Sequence, residues 1–75
     1  MPQGLPGLVY WRREAALSQR ELASKANVGH VTIARLETAQ VDARPSTVRK
    51  LAAALRVQPN VLLHRPVSDD AEFSA

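Results

Sequence analysis

The chain has 75 residues, 45% of them apolar and 23% charged, with a formal net charge of +3; this suits one small globular domain with a limited core. It has no cysteine, which excludes a disulfide framework, a thiol nucleophile and a cysteine-ligated zinc site. No apolar run approaches the roughly 20 residues of a membrane span, and the start has no charged segment followed by a greasy one, so a cytoplasmic location without membrane contact is expected. The charge is uneven. All Lys and Arg lie in residues 1–65, against Glu14, Glu21, Glu37 and Asp42, while the last ten residues carry Asp69, Asp70 and Glu72 without a base. A basic body with an acidic tip suits a polyanionic partner.

In chain order, residues 1–7 (MPQGLPG) hold two prolines and two glycines and read as an irregular, flexible arm. A first helix is expected from about Leu8 to Ala16, with Leu8, Trp11 and Ala15 at the spacing of a buried stripe. Ser18 then opens a second helix. Glu21, three residues on, completes a capping box in which each side chain satisfies the other's free backbone N–H. Leu22, Ala23 and Ala26 recur on one face. Asn27 sits where that helix must stop, and among non-glycine residues it best tolerates a left-handed backbone. After a three-residue turn, His30 to Thr38 forms the third helix. Ile33 and Leu36 face inward there, and Val31, Ala34, Arg35 and Thr38 share the other face. Ala23 is small where the third helix would cross the second. Together these positions predict a helix-turn-helix.

A loop from Ala39 to Pro45 follows, then a fourth helix to about Leu55, capped by Ser46 or a neighbour and apolar at Val48, Leu51, Ala52 and Leu55. Pro59 suits the first position of a last helical turn ending at Leu63. Residues 64–75 are polar and acidic without periodicity and read as a disordered tail. The expected architecture is therefore all-α, with a compact five-helix domain over residues 8–63 between arm and tail.

These residues resemble the phage repressor/Cro-type helix-turn-helix proteins, also called the xenobiotic-response-element family. The resemblance covers Leu8 to about Leu63 and rests on Arg12, Leu17-Ser18-Gln19, Leu22-Ala23, Val28, Thr32-Ile33, Leu36-Glu37, the Pro-Ser-Thr of 45–47, Leu51-Ala52, Ala54-Leu55, Val57 and Leu62. It implies a lambda-repressor-like fold and a sequence-specific DNA-binding transcriptional regulator, most simply a homodimeric repressor on double-stranded DNA. The sequence departs from the family pattern at four positions. Relatives usually carry Gly at positions 27, 39 and 56, where this chain has Asn27, Ala39 and Arg56, and Ser or Thr at Gly29.

On this reading the start of the third helix enters the major groove, whose base edges are all distinguishable. His30, Val31, Thr32 and Arg35 are the candidate base contacts: Arg35 for guanine O6 and N7, Val31 or the Thr32 methyl for a thymine methyl, His30 as a donor to guanine. The resemblance places Gln19 on a phosphate through its amide. Arg13, Lys25, Arg44, Ser46, Thr47 and Lys50 are further candidates for the DNA backbone. It also implies an ion pair between Arg12 and Glu37, each beside its helix's apolar stripe, and a dimer interface around Val57, Pro59, Asn60, Val61 and Leu63.

No catalytic constellation competes. His30 and His64 have no partner at metal-ligand spacing, the serines lack a nucleophile elbow, and no glycine-rich phosphate loop is present. Neither an enzyme nor a cofactor or metal is expected. The alternative function is an antitoxin-type interaction protein that binds DNA and neutralises a partner toxin through its tail, where Phe73 is the one large apolar anchor, or through the first helix.

Overall fold

The computed structural model describes residues 2–64; apart from His64, the acidic tail expected over 64–75 lies outside them. Five helices follow in order: α1 (Leu8–Glu14), α2 (Gln19–Ala26), α3 (His30–Glu37), α4 (Pro45–Leu55) and α5 (Pro59–Leu63). No strand occurs among the described residues. Leu5, Leu8, Leu22, Ile33, Leu36, Leu51 and Leu62 are the fully buried large side chains, so every helix sends at least one leucine or isoleucine to a common centre. α2 packs across both α3 and α4, α4 holds α5, and α1 spans from α3 to α5.

Local chemistry explains the boundaries. The expected capping box is present: Ser18 Oγ accepts from the Glu21 N–H at 3.0 Å, and Glu21 Oε1 accepts from the Ser18 N–H at 2.8 Å. Asn27 ends α2 in the left-handed region at φ 56°, and Val28 turns back to give its N–H to Ala23 O at 3.0 Å. Gly29, in extended backbone, precedes α3.

Two expected ends move. α1 stops at Glu14, two residues before the expected Ala16. Ala16 is left-handed at φ 57°, and its N–H and that of Leu17 fold back on Arg13 O and Arg12 O. The same reversal turns Ala15, expected in the buried stripe, out to solvent. At α4 the N-cap is Arg44, with Pro45 in the first turn. The ring fixes φ near the helical value and has no N–H to leave unsatisfied, so the helix starts on it rather than after it. Ser46 and Thr47 thus lie inside the first turn rather than ahead of it.

The expected arm does not stand away from the domain. Its backbone is irregular, but Leu5 is 1% exposed and belongs to the core. Gln3 N–H reaches Asp42 Oδ1 at 2.8 Å, Leu5 N–H reaches Leu36 O at 3.1 Å, and Gly7 N–H reaches Leu62 O at 3.0 Å. Proline and glycine here shape a close-fitting segment rather than a loose one. Gly4 has φ 60°, and a Cβ on it would sit 2.3 Å from Leu36 O; one on Gly7 would sit 2.3 Å from Val61 O.

Candidate nucleic-acid interface

α3 divides into two faces along its length. Ile33 and Leu36 are buried, while His30, Val31, Thr32 and Arg35 are exposed. Val31 is 50% exposed, one of the few large apolar side chains left in solvent. Among the described residues, none of these four side chains is engaged in a hydrogen bond to another group. Ala34, expected on the outer face, is half-buried, and Thr38 turns its hydroxyl back on Ala34 O at 2.9 Å. The open face is therefore narrower than the helical wheel suggests, concentrated in the first turn and a half. Gly29 supplies no side-chain cap, so the first N–H groups of α3 keep their donors unspent.

A fixed frame holds this helix at its far end. Arg12 reaches from α1 to Glu37 with Nε on Oε2 at 2.5 Å and Nη2 on Oε1 at 3.1 Å. Its Nη1 donates to Leu17 O at 2.9 Å. The two charged side chains are 13% and 6% exposed, which makes this the largely buried tie that the resemblance implies. Glu37 Oε1 also accepts from Gln19 Nε2 at 2.8 Å. The sequence gives no sign of this contact: one N–H of the Gln19 amide holds α2 to α3, and the other remains for the phosphate that the resemblance implies. Trp11 packs against the core as expected of a plug, though its buried Nε1 has no partner among the described residues.

The remaining backbone-contact candidates are spread over three elements. Arg44 and Thr47 come together with Thr32 of α3 around a concavity of about 270 Å³, completed by Leu36, Asp42 and Ala43. Here a base-contact candidate and two backbone-contact candidates share one surface. Ser46 is exposed beside them. Arg13 on α1, Lys25 in the last turn of α2 and Lys50 on α4 are exposed and outside that concavity. Lys25 lies one turn beyond Glu21. With the two Ser18 hydrogen bonds, which weigh more, it holds the Glu21 carboxyl below its usual range.

Of the dimer candidates, Pro59, Asn60 and Leu63 are exposed, while Val57 and Val61 are half-buried against the core. Pro59 and Leu63 line a second, more apolar hollow of about 240 Å³ with Ala43, Pro45, Val48 and Arg49 of the α4 region. No described helix is long and apolar enough to cross a membrane.

Two short helices joined at Asn27 by left-handed backbone, the second with one face open and Arg44 beside it, define a helix-turn-helix domain. A family model described as Helix-turn-helix matches residues 8–62, that is, from the first residue of α1 into α5. The chain belongs to that family, the xenobiotic-response-element type that includes lambda repressor and Cro, whose members are DNA-binding regulators. None of the curated proteins matches the chain.

Proposed function

We propose that this chain is a sequence-specific transcriptional repressor that binds an inverted repeat as a homodimer and reads each half-site by laying α3 in the major groove. The observation that carries the reading is the open face of α3, where His30, Val31, Thr32 and Arg35 are exposed and, among the described residues, their side chains are free of hydrogen bonds, while the rest of the helix is anchored in the core. A bidentate Arg35 would select guanine, and Val31 would contact a thymine methyl. Arg44, Thr47 and the N–H groups at the start of α4 suit the flanking phosphates, which fix register without reading sequence.

One α3 spans only a few base pairs, too few to single out one site in a genome. A second copy supplies the other half-site, with the two recognition helices about 34 Å apart on one face of the duplex. The apolar hollow at Pro59 and Leu63 suits the interface between copies. Repression follows where the bound dimer covers promoter DNA.

The test is selection of bound sequences from a random DNA pool. The expected result is an inverted repeat occupied by two chains, with a reporter falling when the site overlaps its promoter. Recovery of no preferred sequence, or of a single half-site bound by one chain, would refute the reading.

A further inference from the structure

The amino-terminal segment has a place in this function that its composition hides. The last turn of a helix leaves carbonyls without partners inside the helix. The segment meets two such turns at once: Leu5 N–H bonds Leu36 O at the end of α3, and Gly7 N–H bonds Leu62 O at the end of α5. Between those bonds Leu5 is buried, and beyond them Gln3 N–H is held by Asp42 in the α3–α4 loop. Both glycines lie against helix-terminal backbone, with no room for a Cβ at either. α3 packs mainly on α2 and α1, and α5 mainly on α4 and α1; this segment adds a direct backbone tie between the reading helix and the helix of the dimer hollow.

We propose that residues 3–7 are a positioning strap that fixes the end of α3 relative to α5, and thereby sets the distance between half-sites that the dimer accepts; this rests on the homodimer reading above. In a two-fold dimer joined at α5, any shift of α3 against α5 appears twice in the separation of the two recognition helices. The strap acts through its backbone N–H groups and the buried Leu5 side chain. It leaves the identity of the bases to the side chains of α3 and governs how far apart the two readings must be.

The experiment measures binding to a single half-site, to the selected full site, and to full sites with the half-sites moved one base pair closer or further apart. Wild type is compared with Gly7→Ala, which forces the strap off Val61 O, and with Asp42→Ala and Asp42→Asn. The last pair both remove the charge, but Asn keeps an acceptor for the Gln3 N–H. Gly7→Ala should retain half-site affinity and base preference while its preference for the correct spacing drops by roughly fivefold to tenfold, the scale on which substitutions between two sites change their coupling. Asp42→Ala should lose part of the preference and Asp42→Asn should restore it. If Gly7→Ala fails to fold, the Asp42 pair carries the test alone. Unchanged spacing preference in Gly7→Ala and Asp42→Ala, with wild type spacing-selective, would overturn the strap and leave the dimer standing. Wild-type binding with no spacing preference at all would overturn the dimer reading and the strap with it.

Discussion

Arg12 meets Glu37 side-on across 25 residues of sequence, each oxygen of the carboxylate taking one guanidinium nitrogen, and this joins α1 to the last turn of α3. Removing one partner of such a buried pair leaves the other charge uncompensated and typically costs about 3–5 kcal/mol. That is a large share of the stability of so small a domain. Arg12→Ala should therefore shift the urea midpoint far down. Arg13→Ala, which removes an exposed neighbour, should stay within about 0.5 kcal/mol of wild type. Coincident unfolding curves for the two variants would show that the tie contributes nothing.

Ala39 and Arg56 occupy left-handed backbone at φ 57° and 59°, a conformation that costs a residue with a Cβ roughly 1–2 kcal/mol. Glycine removes that strain but raises the entropy of the unfolded chain. Ala39→Gly and Arg56→Gly should each raise stability by a net of about 0.5–1 kcal/mol, whereas Ala53→Gly, on the exposed side of α4, should lower it by about 1 kcal/mol. Thermal melts of the three variants decide it. The prediction fails if all three shift in the same direction.

Arg35→Ala should weaken binding to the selected operator by about 1–3 kcal/mol and leave random-sequence binding nearly unchanged, as expected of a base contact. Arg44→Ala should weaken both. It should also flatten the salt dependence, which for a dimer neutralising roughly 6–10 phosphates has a log–log slope of about −5 to −9. Titrations at several salt concentrations separate the two roles, and a uniform loss for Arg35→Ala would make it a phosphate contact.

Leu63 is the side chain with which to probe the proposed interface between copies. Val61 packs partly against the core, so a charge there would damage fold and interface together, whereas Leu63 is 48% exposed and lines the apolar hollow. Leu63→Asp should abolish cooperative occupation of a full operator while half-site binding and the melting temperature stay close to wild type. Wild-type cooperativity in this variant would exclude α5 from the interface.

The capping box gives a pH signature. Hydrogen bonds from Ser18 lower the Glu21 pKa beneath its ordinary 4.5, so the folded state favours the carboxylate more than the unfolded chain does. The stabilisation is fully present above about 4.5 and is lost as pH falls through the lower folded value. Glu21→Gln keeps an acceptor but does not titrate. Its stability relative to wild type should be constant at neutral pH, and the gap should narrow below pH 4.5. A gap independent of pH would rule out this linkage.

Most of the fold could be read from the sequence because local rules and burial agree there. Ser18 with Glu21, Asn27, and the inward pair Ile33 and Leu36 each point to one conformation. What escaped was set by contacts between distant backbone atoms. Nothing in MPQGLPG marks Leu5 as core except that it is apolar among turn formers, and the carbonyls that Leu5 and Gly7 meet belong to residues 36 and 62. The bond from Gln19 to Glu37 escapes for a related reason: the partner is 18 positions away, and an amide at a helix start suits an anion from DNA or from the protein equally well. The exposed face of α3 was legible, since helical periodicity alone separates Val31 and Arg35 from Ile33 and Leu36. The half-burial of Ala34 depends on what packs nearby, which periodicity does not contain.

The division of labour along α3 bears on how such a regulator diversifies. Residues that keep the helix in place and residues left exposed alternate on one short element, and among the described residues the exposed four hold no side-chain hydrogen bond. Changes at positions 30, 31, 32 and 35 would therefore be nearly invisible to folding; on the proposed reading, new operator preferences can be explored one substitution at a time without passing through an unfolded ancestor.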